Sequence, residues 1–178
     1  MTSNPRDPLL NAAKVVVVLA QIVMIFGIVM LGIGIGALLT VGRAELAAEI
    51  AKAGAPPLSA WVVVAAMLVG ATLLFLGWHF LKELLGIINS VGDGDPFRPD
   101  NADRLSRMGW IAVIAQLVVL PLAGIATWLS PYLDKVDRHM QIDGGLDGGS
   151  ILLTLVLFIL ARVFREGARM REELEGTV

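Results

Sequence analysis

Apolar residues gather in four long runs, and polar, turn-forming residues fill the gaps between them. The first run, Val15 to Leu39, is roughly 25 residues long. At ~1.5 Å of helical rise per residue it can cross a ~30 Å hydrocarbon layer with some tilt. It exceeds the ~7–15 residues of a signal-peptide core, so it reads as a retained span. The second run, 61–80, opens at Trp61 and stays apolar through Phe80. Helical spacing then continues past it, with Leu81, Leu84, Leu85 and Ile88 on one face and Lys82, Gly86 and Asn89 elsewhere. The third run, 109–129, holds Pro121, which removes a backbone donor and should kink the helix. The fourth, Ile151 to Phe164, is short and contains Arg162. A span over 147–164 follows if Arg162 snorkels from its inner end and Leu146 extends the outer one. Leu160, Val163, Gly167, Met170 and Leu174 then carry the helical pattern into a tail, 165–178. Arg162–Glu166, Arg169–Glu173 and Arg171–Glu175 are spaced for pairs one turn apart on its wet face.

The gaps have their own patterns. In residues 42–59, Arg43, Glu45, Glu49 and Lys52 alternate with Leu46 and Ile50 until Gly54 and Pro56-Pro57 stop the helix. Ser130-Pro131 should cap and restart a helix carrying Leu133, Val136 and Met140 on one face, ended by two Asp-Gly-Gly turns. The remaining polar gap is the loop 92–108. Gly92, Gly94, Pro96 and Pro99 break regular structure there, and Asp100 or Asn101 is expected to cap the next helix with Asp103 in its first turn.

Composition supports the membrane reading. The 178-residue chain is 56% hydrophobic, against ~45–50% for a soluble domain, and its mean hydropathy is +0.76. There is no cysteine, which excludes disulfides and thiolate chemistry. Ten of the fourteen lysines and arginines fall on the side of both termini and the loop 92–108. The positive-inside rule places that side in the cytoplasm. The expected fold is therefore an all-α integral membrane protein: one domain of four transmembrane helices, with cytoplasmic extensions of helices 2 and 4. No internal repeat is evident, which argues against an inverted-repeat transporter.

Gly94-Asp-Pro-Phe97, Asn101-Ala102, Arg104-Leu105 and Gly109-Trp110 resemble the middle signature of a bacterial family of small membrane proteins, catalogued as domain of unknown function 2975. Ala161-Arg-Val-Phe-Arg-Glu-Gly167 and the ending Leu174-Glu-Gly-Thr-Val178 resemble its C-terminal signature. The resemblance implies a four-span protein of the bacterial inner membrane. It also implies a gene that often stands beside one for a small helix-turn-helix regulator. It carries no catalytic residues and no cofactor.

Several residues have two readings. Gly32 and Gly36, with Gly70 and Gly77 on the second span, let backbones approach closely. They serve either a homo-oligomer or packing within one bundle, and the second is favoured. Gln21 and Gln116 either line a solute path or bond between helices; no charge lies near either mid-span, which favours the bond. Trp78 reads as a belt residue, and His79 as a satisfied interfacial histidine rather than a pH sensor or metal ligand. Asp137, His139, Asp143 and Asp147 match no calcium loop and read as turn residues. Arg98, Arg104, Arg107, Arg162, Arg165 and Arg169 form a basic rim suited to anionic lipid. Phe97, an aromatic between two prolines, dips into the interface, tucks against Leu84 and Ile88, or anchors a partner.

No nucleophile–base or metal constellation appears, so an enzyme is not expected. The leading expectation is a membrane partner of a small soluble DNA-binding regulator, with no direct nucleic-acid contact by this chain. It rests on a collar in which the second helix, the tail with Leu160, Val163, Met170 and Leu174, Phe97 and Leu105 pack together and fix a charged surface. The alternatives are a small-solute transporter or channel, and a bilayer-sensing protein without a dedicated partner.

Overall fold

The computed structural model describes residues 8–42, 44, 48, 60–133 and 148–175, and all the regular structure among them is helical. Helix α1, Pro8–Ala37, runs into a π-helical turn, Leu38–Gly42. Helices α2, Ala60–Gly92, α3, Pro99–Leu133, and α4, Gly148–Glu175, complete the set. Each of the four is long and apolar enough to cross a membrane. The amphipathic segments expected within 43–59 and beyond Leu133, with the Asp137–Asp147 group, lie outside the described residues.

Helix boundaries follow local chemistry more than hydropathy. Helix α1 holds Pro8 at its first described position, ahead of the apolar run, and proline suits a first turn that needs no N–H there. The same rule corrects the start of α3. Pro99 opens it, so Asp100 and Asn101 lie inside its first turn and are not its cap. Asp100 then sits at the positive helix end. The non-helical link is consequently only Asp93–Arg98, shorter than the predicted 92–108 loop. Neither Pro121 nor Ser130-Pro131 ends α3, which is one helix to Leu133. In apolar surroundings a helix gives up the single bond that proline denies and keeps the rest, since unpaired backbone has no water to turn to. Helix α4 continues into the tail as the spacing predicted.

The chain divides into two compact units. One takes Met1–Met24, Leu76–Ile114 and Asp147–Val178; the other takes Ile25–Phe75 and Ala115–Leu146. The first has the better core. Leu105 and Met108 of α3 and Leu157 and Ala161 of α4 are buried, with Phe80, Leu84 and Ile87 of α2, Ala112 and Phe164 packed around them. The buried face of α4 runs Thr154, Leu157, Ala161, Ala168. This corrects the expected tail face: Leu160, Val163, Met170 and Leu174 are exposed. Small side chains at 161 and 168 let a neighbouring helix come close, and the bulky ones are left on the outside. On α2, Leu84 joins the core as expected, while Leu81, Leu85 and Ile88 are half-buried and Glu83 and Ser90 are buried.

The second unit brings α1 and α2 together over glycine. A methyl group placed on Gly27 would stand 2.9 Å from Leu74 Cδ1, one on Gly34 2.7 Å from Met67 Cε, and one on Gly70 3.6 Å from Leu31 Cδ1. In the first unit Gly77 meets Met24 in the same way, at 2.9 Å. Gly70 and Gly77 thus each face a side chain of α1. At Gly32 and Gly36 no described residue lies within 4 Å of an added methyl group. The close-approach face of α1 is set by Gly27 and Gly34, a heptad apart, rather than by the Gly-x-x-x-Gly pair.

Candidate functional site

The polar end of the first unit, where α2 hands over to α3 beside the α4 tail, is the chemically richest part of the described chain. Its turn leaves α2 through three backbone bonds: Asp93 N–H to Asn89 O at 2.9 Å, Gly94 N–H to Val91 O at 3.0 Å, and Asp95 N–H to Ser90 O at 3.1 Å. Gly94 takes φ +81°, a left-handed backbone that glycine adopts without a Cβ clash.

Asn101, 1% exposed, ties this turn down. Its Nδ2 donates to Pro96 O at 2.9 Å and to Ser90 Oγ at 2.5 Å. Ser90 in turn donates its hydroxyl to Ile87 O at 2.7 Å. Because Pro96 O can only accept, the amide orientation is determined. Asn101 Oδ1 is buried and has no partner among the described residues. The backbone N–H of Asn101 bonds to Arg98 O at 2.9 Å. One side chain thus joins the end of α2, the turn and the start of α3.

Charges add a second set of ties. Glu83 of α2, its side chain 11% exposed, faces Arg107 of α3 at 3.4 Å. Asp103 of α3 faces Arg165 of α4 at 3.3 Å. Asp95 of the turn pairs with Arg171 of α4. Arg98 holds Asp93 at 3.7 Å within the turn, and Arg169 holds Glu166 at 2.6 Å and Glu173 at 3.5 Å within the tail. Arg169–Glu173 is a predicted pair, whereas Glu166 goes to Arg169 and Arg171 reaches across to Asp95. Apart from Glu83–Arg107, whose carboxylate is buried, these exposed pairs contribute only ~0–1 kcal/mol each. The effect of the whole set is positional, since three of the pairs bridge different elements.

Phe97 makes the third tie. Its ring lies 5.3 Å from that of Phe164, and Gly167 leaves room for it: a methyl group there would be 3.0 Å from Phe97 Cδ1. It therefore tucks onto α4 and stays 45% exposed. Arg104 lies over Gly86 of α2 with no ion pair among the described residues. Its neighbours Asn89, Ser90, Asp93, Arg98, Asp100 and Asn101 line a small cavity of about 170 Å³. A wider cleft of about 430 Å³ is lined by Ser106, Phe158, Ala161, Arg162, Arg165 and Glu166.

The structure thus gathers Phe97, Arg98, Asn101, Arg104, Arg107, Arg165 and Arg169 in one unit. Gln21 is half-buried in that unit, and Gln116 is half-buried in the other, where Pro121 is exposed. Trp78 and His79 have ring centroids 6.0 Å apart, and the Lys82 ammonium lies 5.7 Å from the Trp78 ring centre. Sequence reasoning missed Glu83, Ser90, Asp95 and Asp103 as anchors. A signal for Glu83 was there: a carboxylate inside an apolar helical stretch needs a cation, and Arg107 stands in the corresponding turn of the next helix.

Set against known proteins, residues 39–178 match the model of the family described as protein of unknown function (DUF2975). No curated protein and no solved structure matches the chain.

Proposed function

From the premise that the chain belongs to the family of proteins of unknown function DUF2975, we propose that it is a docking protein of the bacterial inner membrane and not an enzyme. Its four long apolar helices hold it in the bilayer, and the polar end of the first unit receives a soluble partner. The lysine and arginine bias puts that end, and both termini, in the cytoplasm. The partner proposed is a small helix-turn-helix regulator, in keeping with the gene setting that the family resemblance implies. Any nucleic acid is then read by the partner.

The observation that carries this reading is the pre-built turn Asp93–Arg98. Asn101, Phe97–Phe164 and Arg171–Asp95 hold it from three directions. A surface already ordered loses little conformational freedom on docking, and its charges steer encounter. The half-exposed Phe97 gives it an aromatic centre of the kind that anchors interfaces.

The test is recovery of the tagged chain from native membranes, followed by direct binding of any enriched soluble protein to the purified chain. A DNA-binding protein should come with the native chain. It should be lost with Phe97→Ala and on removal of residues 166–178, with membrane levels unchanged. If no soluble protein is enriched over a control lacking residues 93–98, the docking function is wrong.

A further inference from the structure

Arg162 is the only charged residue in the apolar run Ile151 to Phe164. Its helical neighbours Ile159, Leu160 and Val163 are exposed. On a helix that crosses a membrane, such a surface is covered by acyl chains. A guanidinium at that level needs an anion or a route to the headgroups.

The nearby carboxylates are already taken. Glu166, one turn on, is held by Arg169 at 2.6 Å, and Asp103 by Arg165 at 3.3 Å. Arg162 has neither an ion pair nor a hydrogen bond among the described residues. It lines the cleft of about 430 Å³ between α3 and α4. The lining combines an apolar part, Phe158 and Ala161, with the Ser106 hydroxyl and the guanidinium groups of Arg162 and Arg165. Glu166 also lines it, with its charge matched by Arg169.

We propose that this cleft is a specific site for one anionic phospholipid. Its phosphodiester lies on Arg162, whose planar fork matches two phosphate oxygens. Ser106 donates a further hydrogen bond. An acyl chain runs over Phe158 toward the exposed Leu155 and Ile159. Basic pockets between membrane helices take anionic headgroups in this way. The site differs from diffuse attraction to a charged bilayer in having a stoichiometry of one and a defined set of contacts. Arg165 is shared between the cleft and Asp103, so a bound phosphate draws on the same cation that ties α4 to α3. The proposal does not rest on the docking function.

The experiment is native mass spectrometry on the full chain, purified in detergent and delipidated. It is titrated with phosphatidylglycerol, with phosphatidylcholine of the same acyl chains, or with inorganic phosphate. One phosphatidylglycerol should be retained per chain, and phosphatidylcholine should bind about tenfold more weakly or worse, as expected when charge-assisted hydrogen bonds to the headgroup decide. Arg162→Gln should weaken phosphatidylglycerol about tenfold, Arg162→Lys less, and Lys82→Gln on α2, outside the cleft lining, not at all. Circular dichroism checks that each variant is helical. If Arg162→Gln does not fold, the native chain's choice between the two lipids decides alone. Equal retention of both lipids by the native chain overturns the proposal. So does undiminished phosphatidylglycerol binding by a folded Arg162→Gln, or displacement of the lipid by inorganic phosphate, which would assign the cleft to the free ion.

Discussion

Asn101 shows how much one buried amide can organise. Its side chain gives both donor hydrogens to fixed acceptors on two other segments, and it is almost wholly out of reach of water. Replacing it by alanine leaves Pro96 O and Ser90 Oγ without that donor, and a buried group so stranded costs about 1–3 kcal/mol. Asn101→Ala should therefore lower the thermal stability of the detergent-solubilised protein by that amount. Arg98→Ala should change it by about 0–1 kcal/mol, because its pair with Asp93 is 3.7 Å long and exposed. Equal effects from the two would show that Asn101 does not tie the turn. The residue type at 101 was legible as one that competes for backbone bonds at a helix start. Its partners were not, since Ser90 lies eleven positions back and only the turn brings it near.

At the scale of elements, side-chain size rather than hydrophobicity decides which face of a helix packs. Every residue is compatible with lipid over most of α1, so period and hydropathy do not distinguish its faces. Close approach does, and it selects Gly27 and Gly34 over Gly32 and Gly36. Leucine at 27 has no space beside Leu74 and should destabilise the detergent-solubilised fold by about 1–3 kcal/mol, the usual penalty for overpacking. Leucine at 32 meets open space and should leave unfolding unchanged. The reverse order would put α1 the other way round. The same physics places Ala161 and Ala168 inward on α4 and leaves Met170 and Leu174 outward.

For the whole molecule, an even number of spans returns both ends to one side. The charge bias predicts that this side is the cytoplasm and that the turn Asp93–Arg98 shares it. The chain has no cysteine, so single cysteines introduced at position 49 and at position 95 can be labelled without background. Impermeant reagent added outside should reach 49 and not 95, and reporters fused to either end should both be cytoplasmic. A C-terminus on the outer side would overturn the four-span arrangement and with it the docking function.

By itself the amino-acid order determined the class of the protein, the four long helices and the place of the polar turn. These depend on hydropathy summed over about 20 residues and on glycine and proline, which act locally. It also marked Phe97 and the arginines around that turn as notable residues. Tertiary structure decided which of their partners they meet: Phe164 for Phe97, Glu83 for Arg107, Asp95 for Arg171. It decided, too, that Arg162 has none among the described residues. Such pairings join residues from about 20 to nearly 80 positions apart. They follow from how closely helices approach, a balance of small side chains and shape that no local pattern encodes.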